Sequence, residues 1–309
     1  MNNPKLTFYG GVGSTTGVNI MLEFNQRKIL IDCGLFQAMG DEQKNIEPFK
    51  YDPTSIDFLL ITHAHMDHIG RVPKLVKEGF GGKIISTAET MELARPMLED
   101  AFKVMQTRHP EKKLFDKEDI EKTFLLWEGK NYRQKIDLFD EYYLEMQDAG
   151  HILGSAILNI FCGGKTIAFT GDLGNSPSPL LPDTDILKDV DYMVIESVYG
   201  DRNHESKGER KNKLKEAILG GIKKDGTIVI PAFSIERTQV LLYEINNMIE
   251  DKEIPQIPVF LDSPLAEKVT DIYKKYKNDF KESVKEEIKK GDDIFDFPKL
   301  KIIKNAKES

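Results

Sequence analysis

The stretch Thr62-His63-Ala64-His65-Met66-Asp67-His68-Ile69-Gly70-Arg71 puts three of the chain's six histidines and one aspartate into six consecutive positions. It lies between a strand-like run, IDFLLIT, and a helix-like run, DHIGRVPKLVKEGF. Side chains two apart on an extended segment point to the same side, so His63 and His65 can converge on one point. Asp67 and His68, where the helix begins, can face a second point beside the first. Crowded together without a cation, these groups are costly both electrostatically and sterically. The fold must therefore be one that brings a metal to this turn. Imidazole and carboxylate donors suit Zn2+, and so short a stretch cannot surround even one ion. Further ligands must arrive from elsewhere in the chain.

Two later segments offer them. His151, in QDAGHILGSA, follows a strand inside a glycine-flanked turn. Asp172, in AFTGDLG, ends an apolar strand, where a carboxylate is out of place unless charged partners meet it. Asp32, in ILIDCG, is a third strand-end carboxylate. It reads either as a ligand or as an acceptor that fixes a histidine's tautomer. A lone histidine such as His109, in TRHPEK, reads as an ordinary hydrogen-bonded residue.

Bulk properties narrow the class. A chain of 309 residues holds two domains or one large one, and 40% hydrophobic residues suffice for a sizeable core. The longest apolar runs are strand-length, far short of the roughly 20 residues that span a bilayer. MNNPKLTF lacks the charged leader and apolar stretch of a signal peptide. Two cysteines, Cys33 and Cys162, make no disulfide framework, so a reduced, cytoplasmic setting is expected. A net charge of −8 argues against a protein held on nucleic acid by bulk charge, though it is compatible with a local basic groove.

LTFYG, NIMLEF and KILIDCG read as strands, which makes the glycine-rich GGVGSTTG a strand–turn–strand link rather than a phosphate loop. Residues 87–127 read as helical, with Asp116 as the cap of a further helix. Strands return in YYLEMQDAG, SAILNIF, KTIAFTGD and DYMVIES. After Gly200, ERKNKLKEAILGGIKK, IERTQVLLYEINNMIE and LAEKVTDIYKKY read as helices. They alternate with strand-like TIVIPAF, PVFLD and LKIIKN, which implies parallel βαβ units. The expected division is residues 1–200 and 201–309.

HxHxDH after a strand, a downstream glycine-flanked histidine and a strand-terminal TGD together resemble the metallo-β-lactamase superfamily. ESVYGDR, PAFSIERTQ and DSPLA are similar to segments of its β-CASP branch, and DCGLFQ and HIGRVP also match. The likeness is to the bacterial and archaeal RNA-processing nucleases and runs through essentially the whole chain. It implies an α/β architecture: an αββα metallo-β-lactamase sandwich followed by a partial β-CASP domain with a parallel sheet of about three strands. It implies that His63, His65 and His151 hold one zinc and Asp67 and His68 a second, with Asp172 bridging the two.

The implied activity is a zinc-dependent ribonuclease that hydrolyses phosphodiester bonds of single-stranded RNA with a hydroxide activated by two metals. In such centres the ions lie about 3.5–4 Å apart. Asp67 is the expected proton acceptor. Glu196 falls on an acidic motif position hydrogen-bonded near a zinc-binding histidine. Arg237, with Arg202 and Arg71, is a candidate to hold phosphate, because a guanidinium fork pairs with it. Family members continue beyond the point matching NAKES with two more histidine motifs, one of which completes the second zinc site. The second site is therefore expected to be short of a ligand. His204, after YGDR, is a weak candidate to replace it. Val18, Val198 and Glu236 depart from the residues usual in the family.

Two other readings stand beside the nuclease. One is a thioester or lactone hydrolase on the same core, against which the β-CASP-like segments argue. The other is a catalytically weak RNA-binding or assembly subunit. Uncovered sheet edges invite pairing with a second chain, so a truncated frame, half of a split protein completed by another chain, and a shortened homodimer are all expected forms.

Overall fold

A computed structural model of the chain describes residues 4–108, 113–202 and 207–304. His109, His204 and the NAKES segment lie outside them. The chain divides into two compact units, Met1–Ser176 with Asp183–Glu196, and Pro177–Pro182 with Ser197–Ser309.

In the first unit, β1 (Lys5–Gly10), β2 (Asn19–Phe24) and β3 (Arg27–Ile31) pair as antiparallel neighbours. GGVGSTTG is thus the turn between two strands. Beyond a short helix, α1 (Glu42–Ile46), the strands β4 (Phe58–Leu60), β5 (Lys83–Thr87) and β6 (Trp127–Lys130) join in parallel. Between β4 and β5 lie α2 (Met66–Ile69) and α3 (Val72–Lys77). The single helix expected there is broken at Gly70 and Arg71. Between β5 and β6 lie α4 (Ala88–Arg108) and α5 (Lys117–Leu126). Asp116 caps α5 in a capping box with Asp119, as its position before a polar first turn predicts.

The second sheet comprises β7 (Ile136–Phe139), β8 (Tyr142–Asp148), β9 (Ala156–Cys162) and β10 (Lys165–Phe169), all antiparallel, with β11 (Tyr192–Val194) parallel to β10. The sheets face each other across one apolar core. Ile20, Leu22, Ile29, Ile31, Leu60 and Ile85 come from the first sheet, and Leu144, Met146, Leu158, Ile160, Ile167 and Phe169 from the second. Their period of two follows from strand geometry. Met21, Leu30 and Leu59, on the other face of the first sheet, are buried too, and for this reason its strands read as continuous apolar runs.

The second unit holds α6 (Lys207–Lys223), α7 (Arg237–Glu250), α8 (Pro264–Lys275) and α9 (Glu282–Lys289), with β12 (Val259–Leu261) parallel to β13 (Leu300–Ile302). Ser263 caps α8 by accepting a hydrogen bond from Ala266 N, and Pro264 follows at the first helical position. Tyr273, Phe280 and Phe295 form a buried aromatic cluster with centroids 6.1–6.5 Å apart. Of the three strands expected here, TIVIPAF joins no ladder among the described residues. Val229 is 83% and Phe233 82% exposed. An apolar, β-branched run favours extension, but a strand also needs a neighbouring backbone, and Pro231 has no N–H to give one.

Glu236, one of the residues that departs from the resemblance, is held in place at a cost. Its φ of +62° and ψ of −59°, with Arg237 N donating to Ile235 O at 2.8 Å, make a γ-turn of the rare, strained kind. Burial pushes its carboxyl up to about 7, against the opposing hydrogen bond from Tyr273 and the charge of Arg237. A carboxyl with a raised folded pKa contributes most stability below its unfolded value and loses that contribution as pH rises through the folded value. Glu236→Gly relieves both costs. It should raise the unfolding temperature by about 2–4 °C, the equivalent of about 1 kcal/mol. The gain should be larger at pH 8 than at pH 5, as thermal melts at the two pH values would show.

Candidate metal centre

Five strand ends meet at one edge of the sandwich, because β3, β4, β8, β10 and β11 all run the same way. Asp32 follows β3, Thr62 and His63 follow β4, His151 follows β8, Asp172 follows β10 and Glu196 follows β11. Ala156 N donates to Thr62 O at 2.8 Å and so ties the start of β9 to the end of β4. The turn after β3 is laced to α2, Cys33 N donating to His68 O and Leu35 N to Met66 O at 2.7–2.8 Å, and Val18 N, just before β2, donates to Asp67 O at 3.0 Å. Two glycines make this approach feasible. A Cβ on Gly34 would fall 1.4 Å from Asp67 O. One on Gly171, whose φ is +53°, would fall 2.6 Å from Thr62 Cβ.

The histidines and carboxylates gather into two groups. His63, His65, His151 and Asp172 each bring one donor atom, all within 4.8 Å of one another, and Asp67, His68 and Asp172 do the same. His65 Nδ1 lies 3.1 Å from both His63 Nε2 and His151 Nε2. Asp172 belongs to both groups through different oxygens. Its Oδ2 lies 3.7 Å from His63 Nε2 and from His151 Nε2, and its Oδ1 lies 3.3 Å from His68 Nε2. Asp67 Oδ2 stands 3.9 Å from His68 Nε2.

The donor set fits a cation. Burial, then the neighbouring imidazoles, holds His63 well below the ordinary histidine value, and brings His65 to about 3. These rings are therefore neutral at pH 7, and one nitrogen of each faces the other. Burial pushes Asp172 upward but is outweighed by the His68 ring and then by His151 and His65, so the carboxyl titrates at about 2. Asp67 is raised, chiefly by burial and further by Asp172, against the pull of His68. Burial disfavours charge on His68, but Asp32 and Asp172 outweigh it and lift the ring well above its usual value. His68 Nε2 is buried without a hydrogen-bond partner and is aimed at Asp172 and Asp67. Buried polar atoms seldom lack a partner, and a metal ion on this nitrogen would provide one.

Asp32 lies behind the ligands. It is fully buried and its Oδ2 accepts from His68 Nδ1 at 2.7 Å, so of the two readings open from the sequence the acceptor fits its geometry. Thr62, which sequence reasoning passed over, donates from both its backbone N and its hydroxyl to Asp32 at 2.8 Å. Glu196 Oε1 accepts from Leu173 N at 2.7 Å and so holds the residue after Asp172.

The arginines divide. Arg71 is 5% exposed, donates from Nε to Gly34 O and lies between the rings of Phe36 (4.6 Å) and Phe49 (5.3 Å). It clamps the turn after β3, and its guanidinium is not presented to a phosphate. Arg202 lies over the ring of Tyr199 at 5.2 Å, and Arg237 opens α7; both are exposed and belong to the second unit.

A mixed two-sheet sandwich with two histidine–aspartate clusters at its strand ends defines a class of metal-binding hydrolase fold. Residues 15–224 match the model of the Metallo-beta-lactamase superfamily and residues 238–309 that of the Beta-Casp domain. The chain belongs to the β-CASP branch of the metallo-β-lactamase superfamily. It is 33% identical over 305 residues to the Ribonuclease TTHA0252 of Thermus thermophilus, a match covering 99% of this chain and 69% of that protein. It is 31% identical to the RNase J-like protein of Methanocaldococcus jannaschii, covering 95% of this chain and 69% of that one. Against the Cleavage and polyadenylation specificity factor subunit 3 of Dictyostelium discoideum it is 30% identical, covering 96% of this chain but 38% of that protein.

Proposed function

We propose that the chain is a zinc-dependent ribonuclease that hydrolyses phosphodiester bonds of single-stranded RNA. The observation that carries this reading is Asp172, which turns one oxygen to each of two adjoining ligand groups. His63, His65, His151 and Asp172 would hold one ion, and Asp67, His68 and Asp172 the other. Two zinc ions supply, when bound, a water of pKa near about 7 and positive charge for the phosphoryl oxygens. Asp67, with its raised pKa and a position beside His68, is the proton acceptor. Glu196 holds the Asp172 turn through Leu173 N. Arg237 and Arg202 are proposed phosphate contacts, each an exposed guanidinium on the second unit.

The names of the relatives support RNA as substrate. The Beta-Casp match disfavours a thioester or lactone hydrolase. A second reading rests on the second group, which has three donors where the first has four among the described residues. A weakly held second ion would leave an RNA-binding or assembly subunit, one whose further donor would come from another polypeptide or a second copy.

The test is cleavage of end-labelled single-stranded RNA with Zn2+ by the parent and by Asp67→Ala. The parent should cut and the variant should be slower by at least about a hundredfold, the usual scale for a proton acceptor, with an unchanged circular dichroism spectrum. Equal cutting by both would place the activity elsewhere. Binding without cutting by a zinc-loaded parent would favour the assembly reading.

A further inference from the structure

The geometry points to Thr62 as a positioning residue that lets one carboxylate set the tautomer of a ligand in each group: His68 directly, and His63 through the threonine hydroxyl. This inference rests on the two-metal reading above.

Asp32 is the fixed point of the arrangement. Its backbone carbonyl accepts from Asn19 Nδ2 at 2.9 Å, and Asn19 Oδ1 in turn accepts from Tyr51 OH at 3.0 Å. Its φ of +55° is unusual for a residue with a side chain, and these bonds help to hold it there. The Oδ1 atom is occupied by Thr62 N, which leaves Oδ2 facing both His68 Nδ1 and Thr62 Oγ1. An ionised carboxylate only accepts hydrogen bonds, so both neighbours must donate to it. His68 therefore donates from Nδ1, which leaves Nε2, the nitrogen facing Asp172 and Asp67, as the one a metal would take in exchange for a proton.

The hydroxyl of Thr62 has one proton, and Asp32 takes it. Thr62 Oγ1 also lies 3.0 Å from His63 Nδ1. With its proton committed, the oxygen can meet that nitrogen only as an acceptor, so His63 too carries its proton on Nδ1. Its Nε2, the atom that faces His65 and Asp172, is left free to bind a metal. The direction of the whole chain, from His63 through Thr62 to Asp32, follows from the one group in it that cannot donate. Both histidines are buried, at 0% and 1% exposure, so water does not compete for these nitrogens. A wrong tautomer at either would put a hydrogen where a ligand lone pair is needed.

Thr62→Val keeps the shape and the backbone bonds and removes only the hydroxyl, while Thr62→Ser restores it. Zinc affinity, measured by competition with a chromophoric chelator, should fall about 10- to 100-fold in Thr62→Val, the range seen when a partner behind a metal ligand is lost. Thr62→Ser should return to within about threefold of the parent. A valine variant that folds and binds zinc like the parent overturns the proposal, as does a serine variant no better than valine. The metal-free parent gives an independent reading that needs no substitution. Long-range 1H–15N spectra should show His63 and His68 both protonated on Nδ1, and an Nε2–H form at His63 overturns the relay. A parent that takes up no zinc contradicts the metal reading instead and leaves these spectra to decide the role of Thr62.

Discussion

Asp172→Ala should lower RNA cleavage by at least about a thousandfold, the largest functional loss expected from any single change in the centre. The residue is the one member common to both ligand groups, with Oδ2 towards His63 and His151 and Oδ1 towards His68. Removing a donor that acts only on developing charge typically costs about 10²–10³ in rate. Here the same deletion also leaves the second group with only Asp67 and His68, too few donors to retain an ion. The first group keeps three imidazoles and should still take up metal. Single-turnover cleavage at saturating enzyme separates this loss from weakened RNA binding, which Asp172→Ala should leave nearly unchanged.

The largest loss of stability is expected from Asp32→Ala. Asp32 is fully buried and accepts from Thr62 N, Thr62 Oγ1 and His68 Nδ1. Alanine leaves all three donors in a place water does not reach, and it keeps the backbone at a positive φ. Breaking a buried charge pair from one side costs about 3–5 kcal/mol. For a unit of this size that is a fall in unfolding temperature on the order of 10 °C. Thermal melts of the metal-free chain check it without any contribution from bound ions. A shift of only a degree or two would mean that the network around Asp32 is not the support its geometry indicates.

The candidate ligands were legible because their spacing is chemically improbable for anything else. His63 and His65 alternate off a strand, Asp67 and His68 sit on the next helix, and His151 and Asp172 follow strands of their own. The structure brings all six together. Asp32 could not be assigned from sequence, since a strand-end carboxylate looks the same whether it meets an ion or a ring N–H. Thr62 is hard to read from sequence although it directly precedes His63. Its role depends on a partner 30 residues earlier, and a threonine at a strand end normally signals only β propensity. The one available signal was a hydroxyl beside a candidate ligand.

Arg71 misled for a related reason. A cation next to a metal motif suggests phosphate, but its rings, Phe36 and Phe49, come from a loop far back in the sequence. The strand reading of TIVIPAF failed differently. Its pattern reports an extended apolar segment and says nothing of what pairs with it. The short strands β6 and β7 went unread because WEGK and IDLF are too brief to show a period.

The central claim, two adjoining metal sites sharing Asp172, is tested most directly by counting zinc. The chain would be stripped with chelator, titrated with Zn2+, and the tightly held equivalents measured beside Asp172→Ala. The two-metal proposal predicts two equivalents for the parent, the second weaker than the first, and no more than one for the variant. A parent that holds none, or a variant that still holds two, would contradict it.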